Sequence, residues 1–585
     1  MFQKNDSHAQ EQLFSPVKEL PAGPQRKLKK HWSTHFYEHV FSQIDEEKFG
    51  GLYHDGYSRP NKPVNVLVSL EIIKHLMNLS DEELEHAYLF DFRVRNALGE
   101  ETLGDNICQK TFTNFRRRLM EYEEETGRDL LHEVFEDHRA YLMDEFDIDG
   151  STQRMDSTYI EANIKQLSRI DLIAKVLHNF LTDLPAEIGE ELPAGMDRFI
   201  DIDNLSLSYQ LEPDEIPSTI DTLIEHTAWL VDRFEDNPEY ADLESFAHLQ
   251  RVLDEQCYRI TELESDNDDT DDEEQSTPGD SSPGWMPLRE FTSIGAEKPQ
   301  TSVTGDESSE SDTSSDRVEL KEPKEVSSGS LHHPHDDEAT YRRKNEEDYF
   351  GYKSSVAETC DGENPFRVIT AVRTATNNTP DGELLEGDVP ELSQETGLRD
   401  LLVDGGFVDR DVEALCQEYG ITQHFSGIPG QRPESDKLSL ADAEWELNRM
   451  VACPAGHEPF DQRYYPEKGR YSGKMDKDLC STCPHKEDCF VDEKVNAYTY
   501  GFYERRLEVA QRRKRLNDPD EQDMLRLRAG AESLINEVYH QDRAKAKFTG
   551  EIKVKNASIA KAIGTNLKRA SRFLESEART EKSTG

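Results

Sequence analysis

Cysteine, long apolar stretches and basic charge are all scarce in this chain. Eight cysteines occur among 585 residues. The polar N-terminus, MFQKNDSHAQEQ, has no signal-peptide pattern, so a disulfide-braced secreted scaffold is not expected. No apolar run in the sequence is long enough to span a bilayer. We therefore expect a cytoplasmic protein without a membrane partner and with room for several domains.

The shortage of basic charge has two interpretations. The chain has 68 Lys and Arg against 120 Asp and Glu, a net charge of −52. Such a chain is expected to repel nucleic acid. It is also expected of a protein adapted to high salt, where the Debye length is ~3 Å at about 1 M and long-range repulsion from DNA is weak. We favour salt adaptation, so that the overall charge indicates habitat and the local charge indicates function.

Changes in composition predict the domain boundaries. Residues 264–274 hold eight acids and no base, and such a segment cannot bury enough apolar surface to stay ordered. The predicted segments are a flexible leader (1–30), a helical N-terminal DNA-binding domain (31–145), the first core strand (150–164), a helical insertion (165–262), a disordered acidic linker (263–337), the rest of the core (338–430), a cysteine-containing insertion (431–497), C-terminal helices (498–574) and a tail (575–585).

The N-terminal domain has clear helix signals and one basic helix. Pro63 opens a segment of helical periodicity, and the capping box Ser80-Asp-Glu-Glu83 starts a second helix. A third helix near 110–123 surrounds an apolar face with consecutive arginines. A compact helical domain with such a helix is a DNA-binding candidate, and an ordinary solvated helix face is the alternative. The arginines are Arg116, Arg117 and Arg118.

The predicted core alternates strands with helices and carries acids at notable positions. Residues 352–360 and 366–378 predict a strand hairpin, and a mixed α/β sheet follows from the order of the elements. Asp404 ends the apolar run Leu401-Leu402-Val403, where ligands of α/β sheets bind; a turn before Gly-Gly is the alternative. Asp156 lies inside the strand-like MDSTYIEAN, where a lone carboxylate is costly unless a cation, hydrogen bonds or water satisfy it.

A third acid lies on a late helix. Glu532 follows Arg528 by one helical turn, so both project from the same face. The alternative is a surface ion pair worth about 0.3–0.5 kcal/mol. Residues 499–572 around it contain 17 basic and 10 acidic residues, which favours a surface that faces DNA and includes Arg512, Arg513 and Arg515.

The order DST, long insertion, GYK-like hairpin, LLVDGGF and RxxxE resembles the DDE transposases of insertion sequences, over residues 60 to 574. Together with the charge, it suggests a halophilic archaeon. The resemblance implies an RNase H-like core in which Asp156, Asp404 and Glu532 are catalytic. It also implies that Arg528, which precedes the Glu, binds DNA. The extended Tyr and Lys positions of some members hold Leu525 and Tyr539 here.

The implied reaction is phosphoryl transfer on DNA. Two Mg²⁺ or Mn²⁺ ions suit carboxylate ligands and in-line displacement at phosphorus. The expected partners are double-stranded DNA, as terminal inverted repeats and target, and a second copy in a homodimer. Two other functions stay open: a non-catalytic DNA-binding protein derived from a transposase, and a metal-dependent nuclease without strand transfer.

Four of the eight cysteines are clustered. Cys453, Cys480, Cys483 and Cys489 have the spacing C-x26-C-x2-C-x5-C, which can supply a structural Cys₄ zinc site. His457 is an alternative ligand. We favour zinc over reduced structural thiols, with the metal bracing the insertion.

Overall fold

The computed structural model describes residues 1–5, 8, 20–53, 60–99, 107–185, 192–200, 206–260, 317–344, 346–428, 437–539 and 545–584. Within these ranges no helix combines the length and the apolar character that crossing a bilayer requires. The acidic segment 264–274 and much of the predicted leader lie outside them.

The N-terminal domain is helical, as predicted. Its helices are α1 (Ala22–Leu28), α2 (Trp32–His39), α3 (Val64–Leu76), α4 (Asp81–Phe90), α5 (Phe92–Ala97), α6 (Gln109–Thr126) and α7 (Leu130–Glu145). The predicted capping box is present: the Glu83 amide donates to Ser80 Oγ at 3.1 Å, and the Ser80 amide donates to Glu83 Oε2 at 2.7 Å. Of the predicted leader, the described residues include α1, and the Asn5 amide donates to Glu46.

The first core strand, β1 (Thr152–Glu161), leads into a helical insertion with its own apolar core. This insertion contains α8 (Arg169–Asp183), α9 (Leu207–Gln210), α10 (Ile216–Phe234), α11 (Pro238–Ala241), α12 (Glu244–Gln256), and the paired strands β2 (Cys257–Ile260) and β3 (Arg317–Leu320). The predicted linker therefore extended too far: residues 317–337 are structured because Val318, Leu320 and Leu331 pack on this core.

The central sheet has six strands and is mixed. Its remaining elements are β4 (Thr340–Lys344), β5 (Glu347–Thr359), β6 (Ile369–Thr376), α13 (Asp381–Thr396), β7 (Asp400–Val403), α14 (Arg410–Glu418) and β8 (Thr422–Phe425). β5 and β6 form the predicted hairpin. β5 also pairs antiparallel with β1, whereas β1, β7 and β8 run parallel. The parallel strands end at one sheet edge, which makes that edge the natural place for a site.

Between the sheet and the C-terminal helices lies a small β-rich unit, residues 437–503, which we call the ribbon domain. It contains β9 (Glu444–Glu446), β10 (Arg449–Ala452), β11 (Asp461–Tyr465), β12 (Arg470–Met475), α15 (Lys477–Ser481), β13 (Asp492–Glu493) and β14 (Tyr498–Tyr503). The strands form a two-stranded and a four-stranded sheet. The predicted helical region thus begins at residue 504, because residues 498–503 pair with β12.

The C-terminal helices return the chain to the central sheet. They are α16 (Glu504–Arg515), α17 (Pro519–Arg526), α18 (Ala531–Tyr539) and α19 (Glu551–Thr584). α19 runs to Thr584, so a separate tail at 575–585 is not present in the described residues. Asn566 of α19 accepts from the Ile369 amide at 2.7 Å and donates to its carbonyl at 3.0 Å, which fixes α19 to β6.

An ion-pair network joins the N-terminal domain to the sheet layer. Arg139 of α7 is buried and pairs with Glu391 and Glu395 of α13. His132 lies 3.5 Å from both Glu136 and Glu391. In the described part of the chain, His132, Glu136 and Glu391 are the group whose ligand atoms all lie within 4.8 Å of one another. We assign it a structural role, because Arg139 already neutralises Glu391.

Candidate active site

Asp156 lies in the middle of β1, opposite Val356 of β5. Its side chain is 16% exposed, and its Oδ1 accepts from the Ser157 amide at 2.9 Å. Burial raises the pKa of Asp156 above its usual value, and the charges of Asp404 and Asp381 raise it further, whereas Arg528 opposes the shift. A half-buried carboxylate with two acidic neighbours is an environment that a cation would stabilise.

Asp404 directly follows β7 and begins the 3-10 helix Gly405–Phe407. Its Oδ1 accepts from the Gly406 amide at 2.8 Å, which is the turn role that the sequence offered as the alternative. The turn role does not exclude a function, because Asp404 also lies close enough to Asp156 to affect its pKa. The two aspartates come from neighbouring parallel strands, and the structure brings them together.

Asp381, the first residue of α13, is a third carboxylate at this edge and was not predicted. Its Oδ1 accepts from Ser157 Oγ at 2.8 Å and lies 3.1 Å from Nζ of the buried Lys353. A Cβ built on Gly406 would lie 2.8 Å from Asp381 Oδ2 and 3.0 Å from Asp404 Oδ1, so both carboxylates border the same small space. The available signal was the position of Asp381 in TPDG, after the end of β6.

The segment that carries Arg528 and Glu532 packs over β1. Arg528 Nη2 lies 3.5 Å from Asp156 Oδ2, in the 3-10 helix Leu527–Gly530. Glu532 lies in the first turn of α18, on its exposed side, whereas Ala531 and Leu534 of the same helix are buried. The structure therefore brings Arg528 to Asp156 and places Glu532 one turn further on. The oxygens of Asp156, Asp404 and Glu532, all described residues, are not gathered within 4.8 Å of one another.

Arg154 fixes this segment to β1. It lies two residues before Asp156, so both side chains share one face of the strand. Arg154 Nε donates to Glu358 Oε1 at 2.7 Å, and its Nη1 donates to the Leu527 carbonyl at 2.6 Å. The fully buried Glu358 also pairs with Arg569 of α19 at 2.7 Å. This buried network determines where Arg528 and Glu532 lie relative to the two aspartates.

The three consecutive arginines of α6 differ in their surroundings. Arg116 is largely buried, with Nη2 at 2.8 Å from Glu71 Oε1 and at 2.6 Å from Asp81 Oδ1. Its charge is thus engaged inside the domain. Arg117 is exposed and pairs with Glu121, and Arg118 is exposed with its guanidinium 5.0 Å from the Tyr53 ring centre. Arg117 and Arg118, rather than Arg116, are placed to meet a ligand.

The predicted arginines of α16 are also partly engaged within the protein. Arg512 pairs with Glu413 of α14. Arg515 Nε donates to Glu521 Oε2 at 2.8 Å. Arg513 is half-buried, whereas Arg505 and Arg506 at the start of the helix are exposed. These pairs reduce the positive potential that the residue count alone suggested.

The four clustered cysteines come together in the ribbon domain. Cys453, Cys480, Cys483 and Cys489 line one pocket, together with His457 and His485. All four are free thiols. This pocket is separate from the carboxylates at the edge of the central sheet.

Two family models match the chain. Residues 26–118 match the model described as Transposase domain (DUF772). Residues 452–571, which include most of the ribbon domain together with Arg528 and Glu532, match the model described as Transposase DDE domain. Asp156 and Asp404 lie outside both ranges. No curated protein and no solved structure matches the chain significantly. In sequence, one match precedes the strands of the mixed α/β sheet and the other follows them. Together the two matches support a DDE-type transposase.

Proposed function

We propose that this chain cleaves the ends of an insertion sequence and joins them to target DNA, with Asp156, Asp404 and Glu532 as the metal-binding catalytic carboxylates. The observation that carries the proposal is that Asp156 and Asp404 lie close together at one sheet edge. Arg528, which belongs to the segment matched by the DDE model, contacts Asp156 there. Three distant parts of the sequence meet there.

The strand arrangement supports an RNase H-like core. Along the sheet, β6, β5, β1, β7 and β8 are consecutive neighbours. The first three alternate in direction and the last three are parallel, with α13 connecting β6 to β7. In this arrangement Asp156 in β1 and Asp404 after β7 point toward the same space, which is what the proposed chemistry needs.

The donor atoms fit hard divalent cations. Asp156, Asp404 and Glu532 offer only carboxylate oxygens, and Asp381 adds a further one beside them. Mg²⁺ and Mn²⁺ prefer such ligands over the sulfur and imidazole that suit zinc. Bound there, the cations would stabilise the attacking and leaving oxygens of the displacement at phosphorus.

The protein's own groups have separate tasks in this proposal. Asp156 and Asp404 are held in place by amide hydrogen bonds from Ser157 and Gly406. Arg528 balances part of the acidic charge until cations and the phosphate backbone arrive. Glu532 completes the site from the exposed first turn of α18, and the Arg154 network keeps that turn above β1.

Double-stranded DNA is the proposed partner, as terminal repeats and as target, bound by a homodimer. Exposed Arg505 and Arg506 on α16, with Arg513, form a basic patch on the helix that follows the ribbon domain. Exposed Arg117 and Arg118 form a second patch on the N-terminal domain. Contacts from such patches would position the phosphate backbone without reading its sequence.

A strand-cleavage assay tests the proposal. Labelled duplexes from the two flanks of the coding sequence are incubated with purified protein, Mg²⁺ and a target plasmid, and products are resolved on denaturing gels. We expect Asp156→Asn, Asp404→Asn and Glu532→Gln each to abolish cleavage while end binding is retained. Asp411→Asn, at an exposed position on α14, is the matched control and should cleave normally. Cleavage by purified Asp404→Asn protein would exclude the assignment of Asp404.

The same assay separates the alternatives. Cleavage without joining to the plasmid would indicate a metal-dependent nuclease. Binding of the flanking duplexes without cleavage by the wild-type protein would indicate a non-catalytic DNA-binding protein derived from a transposase. The non-catalytic function is tested as well, because Glu532 is exposed and, among the described residues, its oxygens are not gathered with those of Asp156 and Asp404.

A further inference from the structure

The ribbon domain contains a thiol-lined pocket that the proposed DNA chemistry does not use. Cys453 follows β10, Cys480 belongs to α15, and Cys483 and Cys489 lie in the loop before β13. Residues separated by up to 36 positions in sequence therefore line one pocket. The thiols come from two segments, one before β11 and one after β12, so a ligand held there would cross-link the ribbon domain.

The local backbone holds these cysteines in tight turns. The Cys453 amide donates to the His457 carbonyl at 2.9 Å, and the Gly456 amide donates to the Cys453 carbonyl at 2.8 Å. Gly456 has φ +80°, a conformation that glycine adopts without strain. The Cys483 amide similarly donates to the Cys480 carbonyl at 3.3 Å. Two short turns thus place Cys453 with His457, and Cys480 with Cys483, around the same pocket.

The sulfur of Cys489 has polar donors. The backbone amides of Phe490 and Val491 are directed at it, whereas burial raises the pKa of the free thiol above its usual value. None of the four cysteines forms a disulfide, although they share a pocket.

The ribbon domain has a small apolar core for its length. Its buried cluster includes Leu440, Met450, Tyr471 and Met475, and the rest of the unit is largely half-buried or exposed. A cross-link adds stability to a small unit of this kind. A metal ion is the cross-link that fits four free thiols.

We propose that Cys453, Cys480, Cys483 and Cys489 bind one Zn²⁺ as a structural tetrathiolate site. Binding forms four Zn–S bonds and releases the four thiol protons to solvent, so the site carries a net charge of −2. In the described residues no three of these sulfurs lie within 4.8 Å of one another, and the ion would draw them to roughly 3.8 Å.

The ribbon domain meets the core through α16. Lys514 of α16 donates to the Ala441 carbonyl at 2.8 Å, which joins α16 to the start of the ribbon domain. Arg410 of α14 lies 2.9 Å from both Glu504 and Glu508 of α16. α14 begins six residues after Asp404. The contacts of α16 therefore join the ribbon domain to the segment that follows Asp404. The proposed ion braces the ribbon domain itself and has no role in bond breaking.

Metal analysis of the full-length protein tests the proposal independently of DNA cleavage. We expect one zinc per chain after gel filtration, lost in Cys480→Ser and in Cys483→Ser. The control is Cys108→Ser, a substitution in the N-terminal domain. This variant should still contain one zinc per chain. One zinc retained by Cys480→Ser, or no zinc in the wild-type protein with all eight thiols reduced, would overturn the proposal.

A measurement on the wild-type protein covers the case in which the variants do not fold. Alkylation of the four cysteines, mapped by peptide mass spectrometry, should be slow as purified and at least tenfold faster after chelation. Hydrogen exchange should then increase in residues 437–503 and stay unchanged in β1 and β5. If His457→Ala loses the zinc and Cys453→Ser retains it, the ligand set is three thiolates and His457, and the tetrathiolate is excluded.

Discussion

Gly530 gives a sharp test of how the Glu532 segment is positioned. It ends the 3-10 helix Leu527–Gly530, and a Cβ at this position would overlap the Arg154 guanidinium. Its φ is not positive, so the backbone itself accepts alanine. By reducing the conformational entropy of the unfolded chain, Gly530→Ala alone would stabilise the protein by about 0.4–1 kcal/mol. Overpacking against Arg154 would cost about 1–3 kcal/mol, so we expect a net loss of stability.

Arg154→Lys isolates the cause of that loss. Lysine keeps a positive charge beside Glu358 but lacks the terminal guanidinium nitrogens that the Cβ would meet. In the Arg154→Lys background, Gly530→Ala should therefore be neutral or stabilising. The coupling between the two changes should be on the order of 1–3 kcal/mol, measured by urea unfolding at constant salt.

Gly362→Ala is the matched control, because nothing lies within 4 Å of a Cβ there. The displaced segment should also reduce strand cleavage by Gly530→Ala more than DNA binding. If Gly530→Ala stabilised the protein as much as Gly362→Ala does, the Cβ of residue 530 would not overlap Arg154. An equal loss of stability for Gly530→Ala in the Arg154→Lys background and in the wild-type protein would show that Arg154 is not its cause.

Three further changes test the interior charges and the surface. Burial lowers the pKa of His132, but hydrogen bonds to Glu136 and Glu391 outweigh it and raise the pKa to about 10. The stability lost in His132→Gln should thus be about 1–3 kcal/mol below pH 6.5 and should vanish as pH rises through about 10, as followed by urea unfolding. Arg116→Met should destabilise the fold by about 3–5 kcal/mol. Arg117→Met should change stability by less than about 1 kcal/mol but weaken DNA retention in a gel-shift assay. The reverse pattern would contradict the structure. Raising KCl from about 0.1 to about 1 M shortens the Debye length from about 10 to about 3 Å. Because the net charge is −52, this screening should weaken self-repulsion and raise the Tm measured by calorimetry. A falling Tm would count against salt adaptation.

Local signals in the sequence predicted the elements that position the site. The apolar run before Asp404 predicted a buried strand, and β7 is present with Leu401 and Leu402 buried. The hairpin of β5 and β6 was predicted from two strand-like segments with DGENP between them. Such signals succeed because they depend on neighbours in sequence, where the hydrophobic period and turn residues are sufficient.

Features that depend on distant contacts could not be predicted in this way. Arg154 bonds a carbonyl 373 residues away, and nothing in its local sequence indicates that partner. Helical periodicity placed Arg116 on a basic face, but only tertiary packing shows that Glu71 and Asp81 take it into the interior. Asp381 was missed for the same reason: it begins α13, and its partner Ser157 lies 224 residues earlier, on β1.

The network around Glu358 explains how a core with two large insertions can keep its carboxylates together. One insertion separates β1 from β5, and the ribbon domain separates β8 from α18. Covalent connection therefore contributes little to positioning, and non-covalent contacts must return α18 and α19 to the sheet. Glu358, between Arg154 and Arg569, provides a charged contact that is fully buried and so is little affected by salt. A surface ion pair would be screened at high salt, whereas a buried one keeps the segment of Glu532 beside Asp156 under the same conditions.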